Sequence, residues 1–207
     1  MLMTTAHLIA NPCDDEEDNM AMLCCHSDKG DMFLMSRYPD EDELEITLDG
    51  EPSTLDGVKV TLTSKLLKIE IAAADADALN GDDVLEISFN PDMVDLDEVE
   101  EILRKIQNFD PAGIAARNLQ ECLLIQLERK EHPDDPVVQN SIKIIVDCFD
   151  EFTKKHYTKI QKKLDLNDDD IKDAVNMITR LNPKPGGTSD GLIKTQYIIP
   201  DFILTNV

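Results

Sequence analysis

The sequence predicts an α+β fold: an acidic, mostly antiparallel β-meander followed by an antiparallel helical bundle. Three observations carry that expectation. Between residues 44 and 89, apolar and polar residues alternate in short runs, the period of a half-buried strand. From residue 96 onward the apolar spacing changes to three and four, the period of a helix packed on one face. The charge changes at the same place. Residues 1–105 hold 27 Asp/Glu against 7 Lys/Arg, a net of −20, whereas residues 106–207 hold 16 against 13, a net of −3. Such a break marks two parts with different surface physics. We therefore divide the chain into an acidic β-rich domain at 1–94, a helical bundle at 95–191 and an extended apolar tail at 192–207.

Taken in order, residues 1–30 open with the acidic run Asp14, Asp15, Glu16, Glu17, Asp18, which reads as a solvated loop. The apolar patch at Met20, Met22, Leu23, Cys24 and Cys25 reads as an edge strand. Met32–Met35 is a short apolar run. Leu44, Ile46 and Leu48 alternate with Glu45 and Thr47, and Asp49-Gly50 signals a turn. Val58, Val60, Leu62 and then Leu67, Ile69, Ile71 repeat the alternation. Asn80-Gly81-Asp82 marks another turn before a last strand at Val84–Phe89. Four or five short strands with tight turns make a meander. One face of a meander needs a cover, and the nearest candidate is the helix that follows.

That helix starts near Asp95. Leu96, Val99, Ile102, Leu103 and Ile106 form its apolar stripe. Acidic residues crowd its start, and Arg104 and Lys105 lie near its end, as the helix dipole favours. Asp110-Pro111 stops it. A second helix spans about 117–131, with Asn118 and Glu121 as a box-like cap and Leu119, Cys122, Leu123, Gln126 and Leu127 along one face. A longer helical stretch runs from about Val137 to Leu164, breaking near His156-Tyr157, with Val138, Ile142, Ile145, Phe149 and Phe152 buried. Asn167 with Asp170 caps a last helix, buried through Ile171, Val175, Ile178 and Leu181, which Pro183 and Pro185 end.

Composition limits the function. No apolar run approaches the roughly 20 residues that cross a bilayer. No charged n-region precedes an apolar stretch, so the chain reads as having no signal peptide and no membrane partner. Cys13, Cys24, Cys25, Cys122 and Cys148 are odd in number and irregularly spaced, and read as reduced, cytoplasmic thiols. The acidic half would repel phosphate and is a poor DNA reader. It suits either a basic protein partner or solubility alone. There is no phosphate-binding glycine loop, no GxSxG, no HExxH and no CxxC. His26 beside Cys24 and Cys25 is the only crowding of metal-binding residue types, and it does not make a metal knuckle. We expect no enzyme, no cofactor and no metal.

Two stretches say more. Residues 109–127 read FDPAGIAARNLQECLLIQL and residues 181–186 read LNPKPG. Together they resemble the core-binding region of sigma-54 type RNA polymerase sigma factors, over about residues 95–204. The resemblance implies a non-enzymatic transcription initiation factor whose bundle binds core RNA polymerase. The matching positions are Phe109, Asp110, Pro111, Gly113, Ala116, Arg117, Leu119, Gln120, Glu121 and Cys122, then Leu181, Asn182, Pro183, Lys184, Pro185 and Gly186. Each also has a purely structural reading. Phe109 would anchor the floor of the bundle, and Asp110, Pro111 and Gly113 would form a turn in which glycine accepts positive φ. Arg117 would pair with Asp110 or with an acidic partner, and Pro183 and Pro185 around Lys184 would form a rigid helix stop. Lys154, Lys155, Lys159, Lys162 and Lys163 make a basic stripe that is either a contact surface or a solvated face. The family's Gln-rich activator-contacting region is not evident in residues 1–30, and its promoter-reading elements would lie past Val207. The resemblance therefore implies a core-binding piece that does not itself read promoter DNA.

Residues 31–106 resemble, through softer motifs, toxin-immunity proteins of the immunity protein 10 type: DGVKVTLTSKLLKIEI, LEISF and a closing amphipathic helix. That resemblance implies a basic toxin as partner. The helix at 95–106 could serve either pattern.

Overall fold

The computed structural model describes residues 2–11, 20–27, 29–39, 41–55 and 57–186. The acidic run at 14–18 and the tail at 192–207 lie outside the described residues.

The first half is one eight-stranded sheet: β1 Leu2–Asn11, β2 Ala21–Ser27, β3 Met32–Arg37, β4 Leu44–Leu48, β5 Glu51–Leu55, β6 Val58–Leu62, β7 Leu66–Ile71 and β8 Val84–Phe89. The spatial order is β5-β4-β3-β2-β1-β8-β7-β6. Four strands descend from β1 on one side and three lie on the other. The two sides join through the parallel pair β1–β8, registered from Leu2 opposite Glu86 to Thr5 opposite Phe89; the other pairs are antiparallel.

This corrects the expected count of four or five strands, and the reasons are physical. β2 lies between β1 and β3 and is not an edge. Its Leu23, Cys24 and Cys25 are buried in succession, so it shows no alternation to read. β5 does lie on the edge and buries only Leu55. Its Pro52 is tolerated because an edge strand can leave one side of its backbone unpaired. The Asp49-Gly50 turn is as expected: both residues have positive φ (51° and 90°) and close a two-residue hairpin between Leu48 and Glu51.

Helix α1, Leu96–Asn108, covers the sheet. Its Asp95 cap accepts hydrogen bonds from the Asp97 and Glu98 amides (3.1 and 3.2 Å). Val99, Ile102, Leu103 and Ile106 share one core with Leu23, Phe33, Ile46, Ile69 and Ile87. Each such side chain contributes roughly 1.5–3 kcal/mol on burial, which makes the α1 stripe the natural lid for the apolar face.

The bundle contains α2 Leu119–Glu128, α3 Pro136–Asp147, α4 Phe149–Thr153, α5 Tyr157–Leu164 and α6 Asp168–Thr179. Leu127, Ile144, Ile145, Cys148, Ile160, Ala174 and Ile178 form its core. α3 is the central element, touching α2, α4, α5 and α6. The helical stretch expected over about 137–164 is three helices: a break falls near His156-Tyr157 as expected, and a second one falls at Cys148. The chain leaves helical geometry at Cys148 (φ −133°) and again around Lys155 (φ 58°). Neither break carries a Gly or Pro, and the one at Cys148 was not expected. The Asn167–Asp170 capping box forms in both directions (2.8 and 3.4 Å). Among the described residues, no helix is long and apolar enough to cross a membrane.

Candidate binding site

The segment between α1 and α2 folds back onto the end of α1 through both backbone and side-chain bonds. The Phe109 amide returns to Lys105 O (3.2 Å), the Gly113 amide to Gln107 O (2.8 Å), and the buried Gln107 side chain donates to Ala115 O (3.1 Å). Ala115, with φ 63°, bridges Lys59 on edge strand β6. The Asp110-Pro111 peptide is cis. Gly113 has φ 100°, and a Cβ there would sit 2.7 Å from Cys122 Sγ and 3.2 Å from Cys122 O. Both conformation and space therefore require glycine, which deepens the turn argument made from sequence.

Phe109 packs against the sheet core and not against the floor of the bundle, because it directly follows α1. The Asn118 cap accepts from the Glu121 amide (2.9 Å), but the reciprocal half of the expected box is displaced by one residue. Glu121 instead holds Arg117, accepting from its amide (2.5 Å), Nε (2.9 Å) and a terminal guanidinium nitrogen (2.6 Å). Hydrogen bonding to this carboxylate raises the Arg117 pKa. The expected Arg117–Asp110 pair is thus replaced. Asp110 faces Arg129 at 3.5 Å, an exposed contact worth little. Leu119, expected on the buried face, is exposed because it is the first residue of α2 and has not yet turned inward.

The second motif comes back to the first through α2. Gln126 clamps Asn182 in both directions, its Nε2 donating to Asn182 O (2.7 Å) and its Oε1 accepting from the Asn182 amide (2.9 Å). Cys122 Sγ also points at Asn182 O (3.8 Å). Asn182 Oδ1 in turn accepts from the Lys184 amide (2.9 Å), shaping the turn that Pro183 and Pro185 stiffen. FDPAG and LNPKPG therefore pack on the same turn of one helix, at Cys122 and Gln126. Between them lies a cleft of about 360 Å³ lined by Asp110, Pro111, Ala112, Asn182 and Pro185, with Arg129, Lys130 and Arg180 at its rim.

The remaining candidates lie elsewhere. Gln120 ties α2 to α3 through Ile145 O (2.7 Å). Lys154 and Lys155 sit in the break between α4 and α5, whereas Lys159, Lys162 and Lys163 ride on α5; all five are exposed and none lines the cleft. Lys163 donates to Asp147 O at the end of α3. Burial pushes the thiols of Cys24, Cys25, Cys122 and Cys148 up, so none is a poised thiolate. Among the described residues no group of three or more His, Cys, Asp or Glu could hold a metal ion.

Comparison with known proteins settles the family. Residues 62–207 match the family described as Sigma-54 factor, core binding domain. The chain belongs to the sigma-54 core-binding family. Among its relatives, the RNA polymerase sigma-54 factor of Azotobacter vinelandii is 36% identical over 142 residues, covering 65% of this chain and 28% of that protein. The sigma-54 factor of Shewanella violacea is 39% identical over 125 residues (60% and 25%), and that of Escherichia coli K12 37% over 123 (59% and 25%). The chain thus spans about a quarter of the length of these curated relatives. The sigma-54 match begins at residue 62, upstream of the 95 expected from the motifs. β7, β8 and α1, on which the immunity-type resemblance leaned together with β6, fall inside the sigma-54 match, and nothing in the comparisons supports a toxin partner.

Two contributors were missed from sequence. Gln126 was placed on the buried face without a role; a polar residue on an apolar stripe was the available signal. Arg37 on β3 is 1% exposed and bonds the FDPAG turn. Its signal was a lone arginine ending an apolar strand, MFLMSR.

Proposed function

We propose that this chain binds core RNA polymerase through its helical half, as a non-enzymatic module, and that it works in the cytoplasm. The observation that supports this most is the sigma-54 core-binding match spanning both motifs, which fold onto a single turn of α2. In this reading Phe109, Pro111, Gly113, Gln120, Glu121 and Pro185 hold the shape of the motif. The exposed groups supply contacts: Asp110, Arg117, Asn182, Pro183 and Lys184, with Lys154, Lys155, Lys159, Lys162 and Lys163 as an electrostatic flank. On a chain of net charge −23 these cations are local exceptions, suited to an acidic partner surface.

The test is equilibrium binding of the full chain to purified bacterial core polymerase at low and moderate salt. Saturable binding that weakens with salt supports the reading, because contacts through exposed lysines are screened over a Debye length of about 8–10 Å. Reversing Lys159, Lys162 and Lys163 together should slow association and flatten the salt dependence. No saturable binding by the folded chain at either salt would sink the proposal.

A further inference from the structure

Arg37 is the most deeply buried charged side chain described, and it lies outside the family match, 25 residues before its start. A cation buried in a core is costly unless its donors are all taken. Arg37 spends its donors almost wholly on one place. One terminal nitrogen donates to Ile106 O (2.7 Å), a carbonyl in the last turn of α1, and to Phe109 O (3.3 Å) of its C-cap. The other donates to Pro111 O (3.1 Å) inside the motif and to Glu41 O (3.2 Å) in the β3–β4 loop. Nε has no partner among the described residues. A positive group also suits the negative end of the α1 dipole. Burial lowers the Arg37 pKa to about 10, opposed by Asp42 and Asp110, so the side chain stays charged at neutral pH.

The geometry is selective. Two of the four acceptors, Phe109 O and Pro111 O, belong to the family motif, and a third, Ile106 O, lies in the last turn of α1 that leads into it. The planar fork of arginine spreads two terminal nitrogens over separate carbonyls from a fixed position on β3, whereas a lysine places its three donors on one nitrogen at the end of a flexible stem. We propose that Arg37 is a positioning residue for the core-binding motif: through it the acidic sheet sets the path of the FDPAG turn. It does not touch the partner. The acidic half is then a working part of the binding module, and a shift of β3 is transmitted to the motif. The functional half of this inference rests on the polymerase-binding reading above; the positioning half does not.

The experiment uses the full chain with Arg37→Gln and Arg37→Lys. Hydrogen exchange is read for residues 107–118, with 138–146 in the middle of α3 as the internal reference, and binding to core polymerase is measured on the same samples. Arg37→Gln should raise exchange at 107–118 about tenfold while the reference stays within about twofold, since local opening is governed by local contacts. Polymerase binding should weaken by about fivefold or more, with Arg37→Lys between Gln and wild type on both readouts. Unchanged exchange at 107–118 in a folded variant overturns the positioning role. A loosened turn with full binding overturns its functional meaning. Loss of the folded state in both variants also overturns it, because Arg37 would then support the sheet as a whole. If wild type itself fails to bind, the polymerase reading falls while the exchange result still decides the positioning.

Discussion

In the bundle, three helices announce their own starts: Asn118, Asp135 and Asn167 each accept a hydrogen bond from a backbone amide two or three residues ahead. The sheet has local signals at turns such as Asp49-Gly50, but none for its central join. Its central join pairs Leu2–Thr5 with Glu86–Phe89, more than eighty residues apart in the chain. Among the described residues its one buried cation, Arg37, reaches 69 to 74 residues forward to find three of its acceptors. The bundle's helices are capped by short-range chemistry, whereas the centre of the sheet is closed by long-range pairing. The motif sits at their seam, held by α2 on one side and by β3 on the other.

The sharpest way to break that division is at the seam itself. Gly113→Ala places a Cβ 2.7 Å from Cys122 Sγ at a φ of 100°. Backbone strain and overpacking together should cost about 2–5 kcal/mol, read as a drop in the urea midpoint by circular dichroism. A near-wild-type midpoint would mean that the turn is free to relax and that the two regions are not tightly joined there. Next in size is Gln126→Ala, which removes both bonds to Asn182 and should cost about 1–3 kcal/mol. Its loss should appear first as faster hydrogen exchange at the Asn182 amide, and unchanged protection there would show that the second motif does not depend on the clamp. Within the bundle, Asn167→Ala tests whether local capping carries weight, with an expected loss of about 1 kcal/mol in thermal or urea unfolding. Smallest is Glu100→Ala on the outer face of α1, which breaks the exposed Arg104 pair and should change stability by about 0.3–0.5 kcal/mol. A loss above 1 kcal/mol would mean that surface charge matters more on this lid than the division allows.

The same contrast explains what could be read beforehand. The α1 stripe, the Asn167 box, the Asp49-Gly50 hairpin and the need for glycine at 113 are encoded within a few residues, and each was legible. The eight-stranded order was not, because β2 lacks alternation and β5 offers one buried residue. Arg117 was given the wrong acidic partner although Glu121 stands four residues away, the distance at which helix-side charges meet. The two motifs were legible as motifs, but their meeting on Cys122 and Gln126 was not, since that depends on how α6 returns to α2. The grip of Arg37 on the motif depends on sheet placement and left only a weak trace in the sequence.

The parallel join between β1 and β8 has a consequence for synthesis. Strand β1 acquires one of its two neighbours only when residues 84–89 have emerged from the ribosome. At about 5–20 residues per second, the interval between making the two is roughly 4–16 seconds. During that time the β1–β5 side can zip by successive hairpins while the far edge of β1 stays an open template for stray pairing. Closure of that edge is followed almost at once by α1, so the exposed strand and the uncovered apolar face are sealed in the same short stretch of translation.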